Sequence, residues 1–180
     1  MQVEELEIPA VRLITPRIFR DERGFFSETY NAEGLASAGI AAALRADPQL
    51  VETFTEEVLR LESPSQGFFR WAEQDGEVAG VAIPRGSMVH VRFAAANRDP
   101  EQFPDPDVLD LNRKNAGAHM AFSQGEHHCV GAPLARLELT TTFGVLLDRF
   151  ERFELVPGAE IRHLPGIALR TLAGLPIRHS

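Results

Sequence analysis

The chain has 180 residues, enough for one domain that buries roughly two thirds of its unfolded surface, and its 44% hydrophobic and 24% charged residues include no apolar run long enough to cross a bilayer. A formal net charge of -8 with no basic stretch excludes a general nucleic-acid binder. The N-terminal MQVEELEIPAVRL lacks the basic start, apolar centre and small-residue cleavage site of a signal peptide, so no membrane and a cytoplasmic address are the default expectations.

Residues 1 to 40 alternate apolar and polar positions, as in VRLI and RIFRDERGFFSETY, and with Pro9, Pro16 and Gly24 as punctuation they predict two or three β-strands. From Ala41 an alanine-rich stretch leads into a helix with Asp47 as N-cap, Pro48 at the first helical position and Ser63-Pro64 as the stop, which puts a boundary near residues 38 to 45. Leu50, Phe54, Val58 and Leu61 form its apolar stripe. In GEVAGVAIPRGSMVHVRF, residues 76 to 93, Gly80, Pro84 and Gly86 separate β-branched runs and predict a small antiparallel sheet. Residues 96 to 117 are crowded with Pro and Asp and read as a long ordered loop, a feature that compact proteins usually keep for a purpose. Beyond Cys129, Leu134, Leu137, Phe143, Leu146, Leu147 and Phe150 recur at helical spacing and predict a long helix from near Gly131. The tail IALRTLAGLPIRH alternates again and predicts a C-terminal hairpin. There is no internal repeat and no low-complexity tract.

Cys129 is the only cysteine, so it forms no internal disulfide and is a buried small residue, a reactive thiol or a metal ligand. Gly125 and Gly131 flank it, which lets the backbone turn tightly and come close to a flat partner. His127, His128 and Cys129 are adjacent, with no second Cys-x-x-Cys or His-x-x-x-His pair, so a closed zinc site is poorly supported. A single thiolate on a glycine-flanked loop suits an iron whose other equatorial ligands come from a macrocycle.

The stretch FSQGEHHCVGAPLAR, residues 122 to 136, resembles the haem-binding signature of cytochrome P-450, Phe-Gly-x-Gly-x-His/Arg-x-Cys-x-Gly followed by Leu-Ala-Arg, with Ser123 in place of one glycine. EEVLR supplies the family's Glu-x-x-Arg as Glu57 and Arg60, and AANRDPEQFPDPD and FELVPGAEIRHLPG are similar to the meander and tail of soluble bacterial members. Glu57 also falls within the apolar stripe of its own helix, where a carboxylate needs the partner that Arg60 offers three residues on. The resemblance covers about residues 41 to 180. It implies an α+β fold, mainly helical with small antiparallel sheets, preceded by short N-terminal strands. Cys129 would be the proximal iron ligand of haem (iron protoporphyrin IX). Phe122 would screen the sulfur, with Gly125 and Gly131 shaping the loop, and His127 and Arg70 would hold the propionates. Glu57 and Arg60 would form a buried ion-pair network with a third member from the meander, for which Arg113 in DLNR is the candidate, although Val108 occupies the place where many relatives carry an arginine.

The resemblance implies a haem-thiolate monooxygenase that inserts one oxygen atom from dioxygen into a small organic substrate, supplied with electrons by a ferredoxin-type donor. The family's distal helix carries an acid-alcohol pair after glycines, and neither Glu28-Thr29 nor Glu52-Thr53 follows a glycine pair, so the distal half is expected to lie outside these residues and another chain could complete the fold. Residues 1 to 40 resemble the opening of dTDP-4-dehydrorhamnose 3,5-epimerase, a cupin-type barrel, through Asp21 to Phe26, with Arg23 and Glu28 at nucleotide-contacting positions. The chain is therefore expected to be a junction of two incomplete pieces. Two other readings stand beside the monooxygenase: a non-catalytic haem-binding fragment and a sugar-nucleotide-binding remnant.

Overall fold

The computed structural model describes residues 2–5, 12–15 and 38–179. Strand β1 (Gln2–Glu5) pairs antiparallel with β2 (Arg12–Thr15), Gln2 opposite Thr15. The epimerase-like stretch from Asp21 to Phe26, with Arg23 and Glu28, lies outside the described residues.

Helices α1 (Ala38–Ala46) and α2 (Leu50–Glu62) follow. Asp47 does not cap α2 as the sequence predicts. Its own amide still donates to Ala43 O at 2.9 Å as the end of α1, and its Oδ1 accepts the Gln49 amide at 3.1 Å, closing a side-chain turn that delays α2 to Leu50. The stop falls where expected. Ser63 takes a left-handed φ of 32° and donates its amide to Leu59 O at 2.9 Å, and Pro64 prevents another turn.

The apolar stripe of α2 packs on α4 (Ala132–Arg149), with the rings of Phe54 and Phe143 edge-on at 4.9 Å and Leu44 and Val51 completing the core. Burial of an aromatic such as Phe54 contributes about 2 to 3 kcal/mol, and the edge-on geometry adds to it. Arg45 of α1 ties the far end of the same helix, donating Nε to Leu147 O at 3.2 Å and Nη2 to Phe150 O at 2.6 Å, where the last carbonyls of α4 would otherwise be open. Leu134 and Leu137, expected in the buried stripe, are 59% and 63% exposed. The apolar residues of α4 lie on two faces, and of these only the one carrying Phe143 meets α1 and α2.

The predicted small sheet is two nested hairpins. β3 (Phe68–Trp71) pairs with β6 (Met88–Val91), and β4 (Gly76–Val78) with β5 (Val81–Ile83). A one-turn helix, α3 (Phe93–Ala96), then leads into the long loop, which carries no regular element before a 3₁₀ turn at Ala116–Ala118. The C-terminal hairpin is not local. β7 (Phe153–Leu155) pairs with β8 (Ile177–His179), while the alternating segment between them makes only the isolated bridges Ser65↔Leu169 and His163↔Leu172. Gly174 and Pro176 interrupt the alternation and deny it a continuous ladder. Among the described residues no helix is long and apolar enough to cross a membrane.

Candidate functional site

Glu57 and Arg60 sit one turn apart on α2 and are both fully buried. Arg60 grips the carboxylate with two bonds, Nε to Oε1 at 2.6 Å and Nη2 to Oε2 at 2.9 Å. Arg113 brings its Nε within 3.1 Å of Oε1, and the Asp110 amide donates to Oε2 at 3.0 Å. Burial alone would raise the Glu57 pKa; the bonds from Arg60 and the Asp110 amide, the Arg60 charge and the bond from Arg113 override it and hold the acid below its ordinary range.

The two arginines spend their remaining donors on the long loop. Arg60 reaches Asn97 O at 3.0 Å, Pro106 O at 2.6 Å and Val108 O at 3.1 Å, and Arg113 reaches Pro104 O at 2.7 Å and Val108 O at 3.1 Å. Carbonyls of a loop rich in proline, with no ladder partners, are thereby paired. Val108 contributes through its carbonyl while its side chain is exposed. The sequence reading missed Asn97, which is buried and links the halves of the site: its Nδ2 donates to Ser63 Oγ at 2.7 Å and its Oδ1 accepts the Met120 amide at 2.6 Å. The signal for it was an Asn beside the loop's first Arg-Asp-Pro turn, which periodicity cannot rank.

From Met120 the chain enters the cysteine loop. Ser123 turns it with φ +61°, its amide donating to Met120 O at 2.9 Å, and Gly125 turns it again with φ +67°. A Cβ on Gly125 would meet open space, so this glycine is required by its backbone angle and leaves the loop's surface bare. The Cys129 amide donates to Phe122 O at 2.9 Å and closes the loop, and Cys129 O accepts the Ala132 amide at 3.1 Å at the start of α4. Cys129 is exposed, and beside it Val130 is 98% exposed. Gly131 is not at a positive φ; a Cβ there would lie 3.7 Å from Cys129 Sγ, an ordinary contact. His128 faces back into the loop, its Nδ1 3.2 Å from Ser123 O, and His127 is exposed with no partner among the described residues. Arg70 lies on β3 opposite Val89; its Nη1 donates to Phe69 O at 2.9 Å, and among the described residues it has no carboxylate partner.

A second ion cluster, also missed in the sequence, stands behind the loop. Glu56, the neighbour of Glu57, accepts Arg136 Nε at 2.6 Å and Nη2 at 3.0 Å on its two oxygens, and His119 Nε2 lies 3.1 Å from Oε2. Burial would raise this acid too, but the His119 Nε2 that faces it, the bond from Arg136 and the Arg136 charge lower it to about 2. The same bond raises the Arg136 pKa.

The motif and the buried network agree with what comparison with known proteins finds. Residues 36–172 match the family model described as Cytochrome P450. The chain belongs to the cytochrome P450 family. It is 44% identical over 139 residues to cytochrome P450 107B1 and 40% identical over 138 residues to 6-deoxyerythronolide B hydroxylase, both of Saccharopolyspora erythraea, covering 76% of this chain and 34% of each relative. Among solved structures it is similar to the tirandamycin C-bound P450 monooxygenase TamI, with a TM-score of 0.76 at 43% identity over 83% of this chain and 37% of that one. CYP109Q5 from Chondromyces apiculatus is similar with a TM-score of 0.76 at 40% identity, over 83% of this chain and 38% of that one. The chain thus spans about a third of the length of these P450s. They lend no support to the epimerase resemblance of residues 1 to 40. The P450 family implies haem, and the residues present fit it. Cys129 offers one soft donor on an exposed, Cβ-free turn, and no three His, Cys, Asp or Glu side chains among the described residues cluster around a bare ion.

Proposed function

We propose that this P450 chain carries the haem-binding site of a haem-thiolate monooxygenase, with Cys129 as the proximal ligand of the iron. The observation that carries the reading is the exposed Cys129 on a loop whose Gly125 turn presents no side chain, immediately before α4. Haem held by a thiolate supplies the activation of dioxygen that lets one oxygen atom enter an organic substrate. Everything else is work for the chain's own residues. Phe122 fixes Cys129 through its carbonyl and would screen the sulfur once haem is bound. His127 and Arg70, both without a carboxylate partner among the described residues, would donate to the two propionates. Glu57, Arg60 and Arg113 keep the long loop pressed on α2, so the segment that enters the cysteine loop at Met120 starts from a fixed point.

By analogy with relatives named as a hydroxylase and a monooxygenase, the substrate is a small organic molecule and the electrons come from a ferredoxin-type donor in the cytoplasm. Residues 41–180 form the haem-binding unit, with residues 1–40 a separate N-terminal piece, and further polypeptide supplies the distal wall. The test is a reduced carbon monoxide difference spectrum of the haem-supplemented chain. A thiolate-type band is expected in the parent and its loss in Cys129→Ala; a band unchanged by that substitution, or no haem uptake by the parent, would overturn the assignment.

A further inference from the structure

The loop's anchoring does not end at the family motif. Phe122, whose carbonyl fixes the Cys129 amide, has its ring beside one cation and one neutral imidazole that both face one acid. The Arg136 guanidinium carbon lies 4.8 Å from the ring centroid, and the His119 ring is 5.9 Å away at a tilt of 48°. Arg136 and His119 are the two partners of Glu56. The tautomer of His119 follows from its other nitrogen. Nδ1 accepts the Ala121 amide at 3.1 Å, so the ring proton sits on Nε2, the atom that faces Glu56. The three groups come from α2, from the segment before the loop and from the first turns of α4 after it, so a single carboxylate bridges the two ends of the cysteine loop.

We propose that Glu56 is a positioning residue for Cys129, acting by holding His119 and Arg136 against Phe122 and so fixing the carbonyl to which the Cys129 amide is bound. This deepens the haem-thiolate reading but tests separately from it, because the fixed amide exists without haem. A bidentate carboxylate–guanidinium pair has a set plane and direction, which an ammonium lacks. Arg136→Lys therefore keeps the charge beside Glu56 and removes the flat group from Phe122, while Glu56→Gln keeps the shape of the acid and removes its charge.

The experiment follows amide hydrogen exchange in the 180-residue chain without haem, comparing the Cys129 amide with the Ala72 amide, which donates to Ser87 O at 2.9 Å in the remote β3–β6 hairpin. Both variants are expected to speed exchange at Cys129 by about tenfold, the loss of one charge-assisted tie, and to leave Ala72 unchanged. With haem added, the same variants should lose part of the thiolate-type carbon monoxide band. Parent-like exchange at Cys129 in Arg136→Lys, with Ala72 still protected, overturns the proposal even where Glu56→Gln fails to fold. Parent protein that takes up no haem but responds to both variants in exchange upholds the positioning role and overturns only the haem reading.

Discussion

Ser123 of the cysteine loop shows how a departure from the family pattern is absorbed. Where the P450 signature has glycine, Ser123 sits at φ +61°, an angle at which a side chain's Cβ crowds the following carbonyl at a cost of about 1 kcal/mol. Replacing it with glycine removes that strain and loosens the unfolded chain, and the two effects leave a net gain on the order of half a kcal/mol. Ser123→Gly should therefore raise the urea midpoint slightly, and a midpoint that falls would mean that the serine side chain makes up for its own strain. In the long loop, a turn closed by the Arg113 amide on Asp110 O at 3.1 Å brings the Arg113 guanidinium back toward Glu57, while Val108 offers only its carbonyl. Glu57 was legible because a carboxylate in an apolar stripe demands a partner. Glu56 was not, since one step along a helix turns a side chain by about 100° and takes it out of the stripe, and its partners His119 and Arg136 lie 63 and 80 residues away, beyond any periodic signal.

Among the elements, the β3–β6 hairpin depends on a residue that pattern reading passed over. A Cβ at Gly67 would lie 2.3 Å from Val91 O, a backbone atom that cannot swing aside, and 3.0 Å from His90 Nε2. His90 is already crowded: burial and the nearby Arg92 charge lower its pKa, and its Nε2 is buried without a hydrogen-bond partner. Gly67→Ala should cost about 1 to 3 kcal/mol by forcing the strands apart, seen as a lower melting temperature; an unchanged one would mean that the register shifts freely. What the sequence told of the elements follows the same division between local and distant causes. The stop of α2 at Ser63, the strands of the nested hairpins and the start of α4 rest on residues within a few positions of each other, and were legible. The burial of α4 was not, because Leu134, Leu137 and Phe143 look alike in a periodicity plot although only Phe143 faces Phe54. Nor was the pairing of β8 with β7, which closes a span of more than twenty residues and leaves no mark in the intervening sequence.

At the scale of the whole molecule, the two adjacent carboxylates of α2 staple different parts of the chain: Glu57 the long loop, Glu56 the two ends of the cysteine loop. Both acids are held below their ordinary range, Glu56 at about 2 against 4.5, so folding and acidity are linked. Between those two pH values the unfolded chain binds a proton that the folded chain refuses, so stability rises with pH across that window. The contribution is complete above 4.5 and is lost as pH falls toward 2. At 1.36 kcal/mol per pH unit, the Glu56 linkage amounts to about 2 to 3 kcal/mol once its partial exposure is allowed for. Glutamine at this position imitates the protonated acid, so the parent and Glu56→Gln should differ by about that amount in urea titrations at pH 6 and converge toward pH 2.5. A gap of the same size at both pH values would place the linked proton elsewhere. Convergence would show that the acid end of the stability curve is set by the carboxylate that bridges the cysteine loop, so that acidification loosens the support of Cys129 while the apolar contact of Phe54 with Phe143, which carries no charge, persists.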